Sequence, residues 1–155
     1  MSFTDVNLGK NIGYMTVPVV FLVSCLLPHT YAVQSSGVYD NANPRAFKEA
    51  VAGEGMDKQL QQRVLRAKAA SENGFESLGL YAAAVVAANQ AGVAAGTINA
   101  LTLGYLASRI AFVFAYVELG ANRRLAVVRS LCWVVSLGFC FGLWITAGLE
   151  VMGRE

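Results

Sequence analysis

Four unalternated apolar runs, at residues 12–33, 78–95, 101–119 and 125–151, take up most of the chain. A bilayer core of about 30 Å is crossed by about 20 residues of helix, so each run approaches or exceeds the length of a span. With their helical flanks they give expected spans at 12–33, 69–95, 98–119 and 125–151, within one domain covering residues 1–155. A membrane β-barrel would show segments of about ten residues alternating in polarity, whereas these runs are rich in Ala, Leu, Val and Gly and do not alternate. Composition points the same way, with 55% hydrophobic and 14% charged residues. A soluble domain carries about 25% charged residues. The expected fold class is all-α, an integral membrane four-helix bundle.

A cleaved signal peptide is the alternative for the first run, because Ala32-Val33-Gln34 after His29-Thr30-Tyr31 has a faint cleavage-site pattern. The run exceeds the usual apolar core of about 7–15 residues in such a signal. Its leader also carries Asp5 beside Lys10, so a retained span is expected. Cys25, Cys132 and Cys140 lie within apolar runs and have no CxxC spacing. They are expected to pack as small hydrophobes, and no metal site is expected. Only Cys132, three residues after Arg129, comes near an activating cation.

The cations are unevenly placed. Arg45, Lys48, Lys58, Arg63, Arg66 and Lys68 lie in or beside the first connection, and Arg123, Arg124 and Arg129 lie at the third; the other side has Lys10 and Arg154. By the positive-inside tendency, the first and third connections face the cytoplasm and both termini the opposite side. The same cations equally suit an anionic ligand. They lack the aromatic interleaving of a nucleic-acid surface, so nucleic acid is not an expected partner.

Pro18 and Pro28 each remove a backbone donor and predict a disturbed first helix. The polar stretch 35–55 contains a turn at Asn41-Ala42-Asn43-Pro44 and a short helix at 45–51. Asp57 is a natural cap for a second helix starting near Met56 or Asp57, which then enters the membrane already helical. Ala82, Ala83, Ala84, Ala87, Ala88 and Ala91 predict close packing on a neighbour, and the short turn at 92–99 predicts an antiparallel hairpin. Gly138 and Gly142 offer a weak small-residue packing face.

Polar residues inside such helices need partners, since an ionisable group at the bilayer centre costs roughly 2.5–3.5 kcal/mol. Arg66, Asn73 and Glu76 are spaced by seven and three and share one helix face; Arg109 and Tyr116 are spaced by seven on the next helix. One reading is an internal Glu76–Arg109 salt bridge. The other is a polar pocket near the membrane face for a small zwitterion or anion. There Arg66 and Lys68 pair with carboxylates, Asn73 makes amide hydrogen bonds, and Glu76 accepts from an amine. Arg129, near the positive end of the fourth helix, holds an anion such as a thiolate; Ser130 adds a hydrogen bond and Tyr116 orients one. Arg129 snorkelling to the surface is the alternative.

Arg66-Ala67-x5-Asn73-x-x-Glu76-x-Leu78-x-x-Tyr81-Ala82-Ala83-Ala84, followed by Arg109-x6-Tyr116 and Arg129-Ser130-Leu131-x-Trp133, resembles the MAPEG family, membrane-associated proteins in eicosanoid and glutathione metabolism. The segment Tyr39-Asp40-Asn41-Ala42-Asn43-Pro44-Arg45 is similar to a little-characterised branch of it. The resemblance implies a four-helix protomer in a homotrimer, with glutathione as co-substrate bound between protomers near the cytoplasmic face. It implies glutathione contacts for Arg66, Asn73, Glu76, Arg109 and Tyr116, and thiolate activation by Arg129 with Ser130 beside it. The implied reaction is conjugation of glutathione to a lipophilic electrophile, or peroxide reduction. The implied location is the endoplasmic reticulum membrane in a eukaryote or the inner membrane in a bacterium.

Three departures bear on that expectation. Ala69 stands where many active members have a second Arg, and Phe112 where some have Tyr. The third connection leaves Arg123, Arg124 and Arg129 as candidates for the thiolate, with Arg129 preferred because Ser130 and Trp133 continue the pattern. A non-catalytic membrane scaffold or regulator that keeps the fold is therefore the alternative function. A transporter fits less well, for want of a repeat or a broken helix.

Overall fold

The computed structural model describes residues 9–53 and 55–154, Arg123 by its backbone alone, so the part of the leader with Asp5 lies outside the described residues. These residues form the helices α1 (Gly13–Ser36), α2 (Phe47–Gly53), α3 (Lys58–Gln90), α4 (Ala95–Val117) and α5 (Ala126–Met152), and no strand. Three of them, α1, α4 and α5, are long and apolar enough to cross a membrane. By contrast α3 begins with charged turns, so its 33 residues are not apolar enough along any membrane-length stretch. It ends at Gln90, short of the expected 95, because Gly92 takes the left-handed φ of 72° that stops the helix.

Local sequence accounts for the other boundaries. Asp57 caps α3, its carboxylate accepting from the Gln59 and Leu60 N–H groups at 3.0 Å each. Gly37 closes α1 at a φ of 67°. Within α1, Pro28 has no N–H to donate to the Ser24 carbonyl four residues earlier, and Leu22–Leu26 is π-helical. The disturbance expected at the prolines thus takes the form of a π-helical turn.

Close approach between helices comes from small residues of α3. A Cβ on Gly74 would lie 2.4 Å from the Ser24 carbonyl oxygen, and Ser71 donates to the Cys25 carbonyl at 2.8 Å. Ala84, Ala88 and Ala91 are buried with Tyr81, which stacks on Tyr105 of α4 at 3.9 Å. The small residues that let α4 and α5 approach are not Gly138 and Gly142 as one face. Gly138 faces open space, while Gly142 packs on Leu101 and Gly104 on the Phe139 ring.

Polar bonds mark the two ends. At one, Asn11 donates to Asn89 at 2.7 Å, Asn99 donates to the Lys10 carbonyl at 2.8 Å, and Arg154 donates to the Ala91 carbonyl. The described chain ends therefore meet the α3–α4 turn. At the other, Arg63 of α3 pairs with Glu118 just past α4, and α2 buries Phe47 and Val51 against Val64, Ala67 and Ala70. On α5, Val127, Leu131, Val134, Ile145 and Leu149 are each more than half exposed. An apolar surface of that extent suits lipid or a partner subunit rather than water.

Candidate functional site

Ala69, Glu72, Asn73 and Glu76 follow i, i+3, i+4, i+7 spacing and so share one face of α3. Across from it stand Phe112 and Tyr116 of α4 and Arg129, Ser130, Trp133 and Val134 of α5. Together these residues line a cavity of about 500 Å³. The short 3-10 turns Leu119–Ala121 and Arg123–Leu125 create it, because they bring the last turns of α4 beside the first turns of α5. A groove of about 390 Å³ between α1 and α4 is almost wholly apolar and lacks such convergent polar groups.

Aromatic rings organise the α4 wall. The Arg129 guanidinium carbon lies 4.6 Å from the Tyr116 ring centroid, within cation–π range. Tyr116 meets Phe112 edge to face at 5.5 Å, and the Arg109 guanidinium carbon lies 4.4 Å from the Phe112 centroid. Two guanidinium groups thus flank a pair of rings, one in the cavity and one beneath it. Arg129 is half-buried and takes part in no ion pair among the described residues. It follows the uncapped start of α5, whose N-cap Leu125 supplies no side-chain hydrogen bond, so the helix dipole adds to its positive field.

The α3 wall carries the Glu72 and Glu76 carboxylates and the Asn73 carboxamide. The buried Asn73 Oδ1 has no hydrogen-bond partner, and Glu76 is exposed and forms no ion pair among the described residues. Glu72 is paired with Lys48 at 2.7 Å and with Lys68 at 4.0 Å. A ligand that donates hydrogen bonds or carries an ammonium on this side, and an anion on the Arg129 side, matches the groups present.

Of the residues singled out by sequence, Asn73, Glu76, Tyr116, Arg129 and Ser130 therefore come together. Arg66 does not join them. Its Nε and a terminal nitrogen donate to the Val117 carbonyl at 3.2 and 3.1 Å, satisfying an orphan acceptor at the end of α4. Gly120 leaves room for this side chain, since a Cβ there would sit 2.7 Å from the Arg66 Cδ. Arg109 is fully buried, its three guanidinium nitrogens have no hydrogen-bond partner, and the Glu76–Arg109 pair does not form among the described residues. Arg124 is exposed and does not line the cavity, and the Arg123 side chain lies outside the described residues. Outside this cavity, the hydrogen bond to Glu118 raises the Arg63 pKa above its ordinary value.

Sequence reasoning missed Glu72. The signal was present, because a residue four before Glu76 and three after Ala69 must share their helix face.

The model of the MAPEG family matches residues 14–149. No curated protein and no solved structure gives a significant match. The match runs through α1, α3, α4 and nearly all of α5 and includes every residue of the cavity. The chain belongs to the MAPEG family, integral membrane proteins of eicosanoid and glutathione metabolism.

Proposed function

We propose that this protein is a four-span membrane enzyme, assembled as a homotrimer, that binds glutathione in the cavity between α3, α4 and α5. Its reaction is conjugation to lipophilic electrophiles or reduction of lipophilic hydroperoxides. The observation that carries this reading is the Arg129 guanidinium, without an ion pair among the described residues, stacked on the Tyr116 ring in a cavity that it shares with Glu76 and Asn73. Glutathione offers complementary groups, a thiol that ionises and an ammonium. Arg129 holds the sulfur as thiolate and Ser130 donates to it. Tyr116 fixes the Arg129 plane, Glu76 accepts from the ammonium and Asn73 Oδ1 from an amide N–H.

The bound thiol supplies the nucleophile. The chain supplies a fixed cation and a preformed site, which lower the barrier by electrostatic preorganisation and proximity. Phe112, Trp133 and Val134 give the cavity an apolar side, and the exposed apolar face of α5 lets a lipophilic substrate approach from the bilayer. The cation-rich end faces the cytoplasm, in the endoplasmic reticulum or a bacterial inner membrane. A melting curve of the purified protein with millimolar glutathione tests the reading. Ligand that binds only the folded state raises the melting temperature, and no rise would count against it.

One observation favours a non-catalytic scaffold. Arg66 is spent on the end of α4, and Ala69 and Glu72 occupy the wall without adding a cation, so the α3 face offers no positive charge of its own. On that reading glutathione leaves the melting temperature unchanged.

A further inference from the structure

Two hollows of opposite character meet at the end of α4. One is the apolar groove of about 390 Å³ between α1 and α4, which runs along α4 from Ile110 through Val113 to Val117, with Leu27, Pro28 and Tyr31 on its α1 side. That stretch of α4 is about 10 Å long at the rise of an α-helix. The other is a polar basin of about 830 Å³ lined by Lys58, Arg63 and Arg66 of α3 and by Gly120 and Ala121 just past α4. Val117 and Glu118 line both. The groove lies along two membrane-spanning helices and the basin past the end of one of them, so the two follow each other in the order of hydrocarbon and headgroups.

Arg63 joins the two hollows. It pairs with Glu118, and its guanidinium carbon lies 5.4 Å from the centroid of the Tyr31 ring in the groove wall. Its Nε is buried and has no hydrogen-bond partner among the described residues. A buried donor without an acceptor is costly, and so marks where a ligand oxygen fits. Lys58, exposed in the first turn of α3, takes part in no ion pair among the described residues. The acids of the basin are engaged, Asp57 by the Gln59 and Leu60 N–H groups and Glu118 by Arg63.

We propose that groove and basin form one site for an anionic glycerophospholipid, with an acyl chain in the groove and the phosphate at Arg63 and Lys58. A phosphate oxygen accepts from the Arg63 Nε–H, and the Lys58 ammonium faces the remaining charge. Cations at headgroup depth favour anionic over zwitterionic lipids. The site is separate from the thiol cavity, with which it shares no lining residue.

Lipid binding to the intact detergent-solubilised protein tests this, with phosphatidylglycerol and phosphatidylcholine of the same acyl chains. Native mass spectrometry reads the lipid retained, and the melting temperature reads binding independently. Phosphatidylglycerol is expected to be retained about fivefold or more over phosphatidylcholine, and Lys58→Gln, at an exposed position, to remove most of that preference. Leu27→Trp, which fills the groove from a position 58% exposed, is expected to lose phosphatidylglycerol while melting like the lipid-free wild type. Equal retention of the two lipids, or full retention of phosphatidylglycerol in Leu27→Trp, overturns the proposal. Glycerol phosphate raising the melting temperature as far as phosphatidylglycerol overturns it in favour of a site for the phosphate alone. Disulfide formation between subunits by Leu27→Cys in phosphatidylglycerol bilayers overturns it in favour of a second copy of the chain over the groove.

Discussion

The Arg129 guanidinium rests on the face of Tyr116, 4.6 Å from the ring centroid, at the point where α4 and α5 meet. The stack needs the ring and a planar cation rather than the phenol hydroxyl. Tyr116→Phe should therefore keep thiol affinity within about twofold, whereas Tyr116→Leu should lose the roughly 0.5–1 kcal/mol of an exposed cation–π contact, about two- to fivefold in affinity. Binding titrations of the two variants decide it, and equal losses would show that the hydroxyl matters more than the ring.

Arg66 supports the end of α4. Arg66→Ala should cost about 1 kcal/mol and lower the melting temperature by about 2–4 °C, with thiol affinity nearly unchanged. Paired melting and binding measurements separate this from a ligand contact, for which affinity would fall while stability held.

How far the sequence spoke for itself varied with the range of the interaction. The Asp57 cap, the α3–α4 hairpin and the shared face of Asn73 and Glu76 were legible because they depend on residues a few positions apart. The fate of Arg66 was not. It sits seven residues before Asn73, about 10 Å along the helix, and is level with the last turn of α4. Its hydrogen bond reaches 51 positions away, to a carbonyl whose exposed helix end no spacing rule reveals. The Glu76–Arg109 pairing failed for a related reason, since charge complementarity in sequence does not say which faces two helices present. Neither did Gly138 and Gly142 show which glycine meets a neighbour.

Burial without partners makes Arg109 costly. Replacing it by Met keeps an unbranched chain and removes a charge that no described acceptor satisfies, so Arg109→Met should stabilise the fold by about 1–4 kcal/mol. A rise in melting temperature checks it. A fall would mean that the contact with Phe112, or an acceptor supplied on assembly, outweighs the desolvation penalty.

Gly74 is where α3 meets the π-helical turn of α1. Gly74→Ala would set a Cβ 2.4 Å from the Ser24 carbonyl oxygen and should destabilise by about 1–3 kcal/mol as the helices part. Gly138→Ala, with nothing within 4 Å, is the control and should be neutral or slightly stabilising. Thermal unfolding of the two variants in one detergent makes the comparison.

The most direct measurement of the central claim is the ultraviolet absorbance of bound thiolate as a function of pH, in the wild type and in Arg129→Leu. A thiol held beside Arg129 and the start of α5 should ionise at least about one pH unit below the free value near 8.5, so the signal appears near neutral pH. In Arg129→Leu the signal should vanish at that pH while the variant melts like the wild type. A thiolate signal that persists in Arg129→Leu, or none in the wild type, would contradict the assignment of the site.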